Sequence, residues 1–473
     1  MRSVALLSFV LVTGCGRIGF DALFDGTGGG DDGAGDAHMA DAPMFTGAHS
    51  AYVKPLTPLT DGQFGAAMGL SADGSTLAVG AYGENNSAGA CYVFTRANDV
   101  WTQQARLVPA IADAGDNLGV AVALSADGNT LACSAYRESS GNPADPADNT
   151  LPASGAAYVF VRSGTTWSQQ AYLKAQNLDA GDEFGQGLAL TGDGNLLAVS
   201  AHFEQSATGN PSDNSGTQVG AAYVFTRSGA IWTQTAYLKA DNAGGDCFGE
   251  SIDIAANGSA IAVGAYLESS VATNVNGDGT NDLLVNSGAV YVFEGPSWIQ
   301  RDYVKAFNTG MSDQFGVTVG LAADGQLVVG AHLEASGSVT NQADDSMAQA
   351  GAVYTYLPPV STLQPGSYLK AATPQAGAIF GLRVASSDPG TTIVAGAPNE
   401  NGTGAAYVFT RVGTAWQQRV RLIASNADAG DLFGSVALSP DGTTLAIGAI
   451  QEDSNGDPAD NSVTNAGAVY VYW

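Results

Sequence analysis

Positive charge is scarce in this chain, whose 473 residues hold 17 Lys and Arg against 45 Asp and Glu, for a formal net charge of −28. So acidic a surface repels phosphate backbones and anionic headgroups, which argues against nucleic acid and against direct docking on lipid, and favours cations or basic partners. Cysteine is rare too. Beyond Cys15 there are Cys91, Cys133 and Cys247, with neither a disulfide framework nor zinc-type spacing among them. They read as isolated packed thiols, and Cys91 with Cys133 is the one pairing left open. There are four His and no G-x-S-x-G, H-E-x-x-H or phosphate-binding loop, so no catalytic constellation is visible. His202 and His332 stand where other copies of a repeat have Tyr82, Tyr136 and Tyr266, and read as aromatic substitutes.

What the chain does have is glycine, 62 residues of it, placed by a repeat. Seven copies open at Phe64-Gly65, Leu118-Gly119, Phe184-Gly185, Phe248-Gly249, Phe315-Gly316, Phe380-Gly381 and Phe433-Gly434, at spacings of 54, 66, 64, 67, 65 and 53 residues. A period of that size, built from short strands, points to a closed array. The third copy predicts four strands: Gly187 to Leu190, Leu196 to Ala201 after an Asp193-Gly194 turn, Gly220 to Phe225, and Trp232 to Ala240. The Trp that opens the fourth strand, as at Trp101, Trp167, Trp298 and Trp416, reads as blade packing. Seven such units are expected to form an all-β, seven-bladed propeller of four-stranded antiparallel blades.

The ends predict how the ring closes. The last copy stops after its third strand, Gly467 to Trp473, whereas residues 51–54 (AYVK) precede the first copy and match the fourth-strand AYLK at 171–174 and 236–239. The N-terminal strand should therefore complete the last blade and remove two free edges.

The pairing of Phe-Gly with Gly-Ala, as in Phe64-Gly65 with Gly80-Ala81 and Phe248-Gly249 with Gly264-Ala265, resembles the FG-GAP repeat of integrin alpha subunits and of many bacterial surface proteins. Copy six keeps the full Gly396-Ala397-Pro398. The resemblance covers nearly all of residues 49–473 and implies the propeller fold, while leaving function open. It departs from integrins where their first hairpin carries D-x-D-x-D-G-x-x-D. Here that hairpin is a tight turn such as Ser71 to Ser75, so the integrin calcium sites are expected to be absent.

Three regions follow: a leader over 1–14, a lipidated Cys15 with a tether through residue 48, and the propeller from 49 to 473. The stretch Val4 to Val12 is too short to span a membrane, and Val12-Thr13-Gly14-Cys15 resembles a bacterial lipobox. Gly16 after the cysteine favours the outer membrane over retention at the inner one. The Gly- and Asp-rich segment behind it buries too little apolar surface to fold, and a flexible chain of that length spans about 30 Å on average.

The candidate sites lie in the loops joining strands two to three and four to one, which share one face. Each copy has a Glu just after its second strand, at Glu84, Glu138, Glu204, Glu268, Glu334, Glu400 and Glu452; five have an Asp two residues before the Phe-Gly position, at Asp116, Asp182, Asp246, Asp313 and Asp431. They predict an acidic ring that either meets a ligand or braces the loops. Loops 139–154, 205–219, 269–287, 335–350 and 453–466 are long, and those of copies one and six are short. Within one of them Asn274, Asn276, Asp278, Thr280 and Asp282 have the spacing of a calcium loop, with two carboxylates and hence weak affinity; a polar surface turn is the alternative. Together these features predict a lipid-anchored, monomeric binding propeller for a protein or glycan. The alternatives are an enzyme acting on extracellular polymer through loop-face carboxylates, or a structural envelope component.

Overall fold

The computed structural model describes residues 50–473, apart from residues 243, 359 and 360. The expected leader over 1–14, Cys15 and the expected tether through residue 48 lie outside the described residues. The described strands form seven four-stranded antiparallel sheets. In blade three they are Leu188–Leu190, Leu196–Ala201, Ala221–Ser228 and Ile231–Leu238, paired in chain order. The second strand is buried almost throughout because neighbouring blades cover both faces, whereas the fourth alternates between exposed and covered positions. Its observed end, Leu238, precedes the expected Ala240 because the chain leaves the ladder there and Lys239 turns inward to Glu204 and the Gly220 carbonyl.

The Phe-Gly element and the glycine just before each third strand act as joints between blades. Phe184 packs edge-on against Tyr223 and Phe225 of its own blade, at 5.3 and 6.0 Å, while its backbone makes a parallel bridge with Gly155 of the preceding blade. A Cβ on Gly155 would come within 2.0 Å of the Phe184 carbonyl oxygen, and Gly185 holds φ +104°, so both positions require glycine. Apolar side chains fill the spaces between adjacent blades: Ala78, Cys91 and Val93 of blade one pack with Leu131, Cys133 and Tyr158 of blade two.

That packing corrects the reading of the cysteines as isolated thiols. Cys91 on the third strand of blade one and Cys133 on the second strand of blade two face each other with Cα atoms 6.7 Å apart, and form a disulfide. Cys247 is free and buried. Blade seven is closed as expected. Its strands are Phe433–Leu438, Leu445–Ala449 and Ala468–Tyr472, and Ser50–Val53 adds the fourth, with Ser50 opposite Tyr472 and Val53 opposite Val469.

Candidate functional site

All seven repeated glutamates, Glu84, Glu138, Glu204, Glu268, Glu334, Glu400 and Glu452, are buried. Each meets a cation at or just past the end of the fourth strand of its own blade. In blades two, three, four, five and seven this is Lys174, Lys239, Lys305, Lys370 and Lys54, at 2.5 to 2.9 Å. The same carboxylates accept a tyrosine hydroxyl, from Tyr172, Tyr237, Tyr303, Tyr368 and Tyr52. They also accept the N–H of a serine two residues on, as Glu138 does from Ser140 and Glu452 from Ser454. In blades one and six Arg106 and Arg421 occupy the tyrosine position and pair with Glu84 and Glu400. The split follows loop length: the five Tyr-x-Lys blades carry long loops and the two Arg blades short ones. The expected acidic ring is thus an interior one, committed to clamping loops.

The five aspartates close the loops that enter the blades. Asp116, Asp313 and Asp431 each accept an N–H from three residues back. Burial first, and then the negative charge of neighbouring glutamates, push these carboxyls up: to about 6 for Asp116 and Asp246, about 7 for Asp313 and Asp431, and about 8 for Asp182. Part of the Asn and Asp content of the long loops braces them as well. Asn149, Asn214 and Asn461 donate to Asp113, Asp179 and Asp428 of the loop entering the same blade.

In the stretch with calcium-loop spacing, hydrogen bonds within the protein engage the candidate oxygens. The Asn276 side-chain oxygen accepts the Tyr303 N–H, and its amide donates to Asp302 and Thr362. Asp278 accepts the backbone N–H and hydroxyl of Thr280. Asn274 and Asp282 are exposed. Among the described residues no group of three or more His, Cys, Asp or Glu is placed to hold a metal ion.

The seven-fold pattern breaks at the mouth of the central channel. A cavity of about 480 Å³ opens there over blades six, seven, one and two, where Asn86, Ser87 and Asn399 of the short loops form its rim. Tyr82, Tyr136, Arg137 and Arg383 line it with side-chain amides such as Gln63 and Asn117. A narrower cavity of about 110 Å³ continues between the inner strands of all seven blades, and Arg383 lines both. Beside the mouth, on blades three and four, Glu183 and Glu250 hold His202 between them at 3.1 and 2.9 Å. Burial lowers the His202 pKa, but the two carboxylates outweigh it and raise it to about 9. Opposite in character, His332 is driven down to about 3 by burial and by the charge of Arg383. The two histidines, expected as aromatic substitutes, are thus held in opposite charge states by their neighbours, and Glu183, Glu250 and Arg383 belong to no repeated motif. Their signal is departure from the copies: the Arg383 position holds Ala67, Ala121, Gly187, Ser251, Thr318 and Ser435 elsewhere.

The closed seven-blade ring with loops gathered at one mouth defines a repeat propeller. The family model described as FG-GAP repeat matches residues 101–160, 167–225 and 416–472, so these three segments are FG-GAP repeats. All three matches run from a fourth strand into the next blade, so the sequence repeat is offset from the structural blade by one strand. Among solved structures, a chain of Kuenenia stuttgartiensis hydrazine synthase superposes with a TM-score of 0.50 at 12% identity, over 84% of this chain and 94% of that one. At that identity the likeness is one of fold. No curated protein matches the chain.

Proposed function

We propose that this chain is an exported binding propeller, held to the cell envelope, at the outer membrane, by a lipid on Cys15, and that its loop face takes a protein or glycan ligand. One observation supports this above others. Five long loops are clamped to a rigid scaffold by buried ion pairs, and the mouth cavity opens where blades one and six leave the surrounding wall low. Rigidly carried, variable loops around a concave site are the usual arrangement for recognition. The direct test replaces loops 139–154, 205–219, 269–287, 335–350 and 453–466 with short turns patterned on Asn85 to Ala88. The stripped propeller should fold and lose whatever partner the full chain captures from protein and glycan arrays. Retained binding would move the site to the opposite face.

A second reading, an enzyme acting on extracellular polymer, draws on Glu183 and Glu250, a carboxylate pair outside the seven-fold pattern. Both are hydrogen-bonded to one imidazole, and neither lines the mouth cavity. That favours binding over hydrolysis, and turnover of a polysaccharide by purified protein would reverse the preference. The anchor has its own test: Cys15→Ala should release the protein from the membrane fraction. Calcium enters only as a weak stabiliser of residues 274–282, through Asp278 and Asp282. A melting temperature that rises in millimolar calcium, and stops rising in the Asp278→Ala, Asp282→Ala variant, is the sign to look for.

A further inference from the structure

The mouth cavity has a charge character opposite to that of the chain around it. In a protein of net charge −28, the described residues lining it include two arginines and no carboxylate. Arg383 is the more telling of the two. It rises from the inner strand of blade six at a position that is small in the other six copies, and it sits where the mouth cavity meets the narrow channel. Its guanidinium donates to the Leu382 carbonyl, and among the described residues no carboxylate comes within 4 Å of it. The carboxylate whose charge acts on it, Glu250, is already bound to His202. Arg137, over the Tyr136 ring at 5.1 Å, is half exposed, and its one carboxylate contact, Glu183, lies at 3.8 Å through Nε.

Two guanidiniums with uncommitted N–H donors line this one cavity, and each presents a planar fork that prefers carboxylate or phosphate. The rest of the lining selects between them. Tyr82, Tyr136, Gln63, Asn117, Asn399 and Gln451 surround the arginines with ring faces, amides and hydroxyls, the groups that suit the alternating C–H and O–H surfaces of a sugar. Building on the binding reading above, we propose that the mouth cavity binds the carboxylate of an acidic sugar, a uronic acid unit at or near the end of a glycan. The exposed aspartates of the long loops, such as Asp145, Asp345 and Asp457, stand on the surrounding wall, so such a ligand enters over the low rims of blades one and six.

The experiment is calorimetric titration of the full chain with trigalacturonate and with its methyl ester, using Arg137→Gln and Arg383→Met as variants. The acid should bind about tenfold tighter than the ester, and each variant should remove most of that advantage. Raising salt from about 0.05 to about 0.5 M should narrow the gap, as expected of a partly exposed ionic contact. Equal binding of acid and ester, unchanged binding in both variants, or no heat with either compound at millimolar concentration would overturn the assignment. None of these outcomes touches the loop-exchange result, so the binding reading can stand when this one fails. An acidic peptide that displaces the acid and loses affinity in both variants would reassign the cavity to protein. Should Arg383→Met fail to fold, the half-exposed Arg137 decides the outcome.

Discussion

Lys174 donates to Glu138 across 2.6 Å in the interior of blade two, with 0% and 3% of the two side chains exposed. Burial alone would drive the lysine toward its neutral form, and the carboxylate opposes this. A pair so placed adds little net stability over an apolar substitute, but losing one member strands the other. Lys174→Met is therefore expected to cost about 3 to 5 kcal/mol, and the double variant with Glu138→Gln, which keeps acceptors for Tyr172 and Ser140, less than that. Denaturant unfolding of the two variants checks it. A double variant as unstable as the single would mean that the charge pair itself holds the loop.

The same pair closes the ring in blade seven, where Lys54 and Tyr52 reach Glu452 from the far end of the chain. Deleting residues 49–56 would expose the edge of Ala468–Tyr472 and strand the Glu452 carboxylate together. A large fall in melting temperature, or aggregation, is expected. Lys54→Met should reproduce only the electrostatic share, about 3 to 5 kcal/mol. An unchanged melting temperature in the deletion would rule out the joint.

How much of this was legible in the residues depends on the range of the interaction. The blades and their closure were, because Phe-Gly, Asp-Gly and AYLK are local signals repeated along the chain. The glutamates were legible as a ring, and bracing was one of the two roles foreseen for them, but not their partners: Tyr172 and Lys174 lie 34 and 36 residues beyond Glu138. Spacing along a chain does not show which loop end folds back on which strand end. The mouth was the least legible part, since Arg383, Glu183 and Glu250 belong to different blades and meet only through closure. The disulfide was left open, not decided, for a related reason, as Cys91 and Cys133 replace different residues of the repeat and come together across a blade boundary.

That disulfide links blades one and two over 42 residues. In the chain-entropy account a loop of this length contributes about 4 kcal/mol by restricting the unfolded state. Reductant should lower the unfolding midpoint, and Cys91→Ala with Cys133→Ala should match the reduced protein. Alkylation of denatured, unreduced protein should modify Cys247 and leave this pair unmodified. Labelling of all three without reductant would show that the bond is absent. In the folded state Cys247 should be slow to react, because burial and then the charges of Glu250 and Asp246 raise its thiol to about 12.

His202 sets one direction of the pH response. Its folded pKa of about 9 lies above the unfolded value of about 6.5, so its contribution is full below pH 6.5 and is lost as pH rises through about 9. His202→Gln should be destabilised by roughly 3 kcal/mol at pH 6 and approach the wild type above pH 10. A difference that did not change with pH would mean that packing, and not charge, accounts for it.

Asp182 acts in the same direction through a different sign. Burial first, then Glu204 and Asp179, raise its carboxyl to about 8, against the N–H of Asp179, which lowers it. The folded chain keeps a proton that the unfolded chain releases near pH 4, so native stability falls between about pH 4 and pH 8 as that proton is stripped away. One Asp182 oxygen is buried without a hydrogen-bond partner, and an amide there carries no charge to desolvate. Asp182→Asn should be close to the wild type at pH 4 and more stable by roughly 3 to 5 kcal/mol at pH 9. Asp116, Asp246, Asp313 and Asp431, raised for the same reason, add to the slope. The whole protein is therefore expected to unfold at a higher temperature at pH 5 than at pH 9. A melting temperature that climbs across that range, or an Asp182→Asn variant weakened at pH 9, would show that these carboxyls ionise freely in the fold.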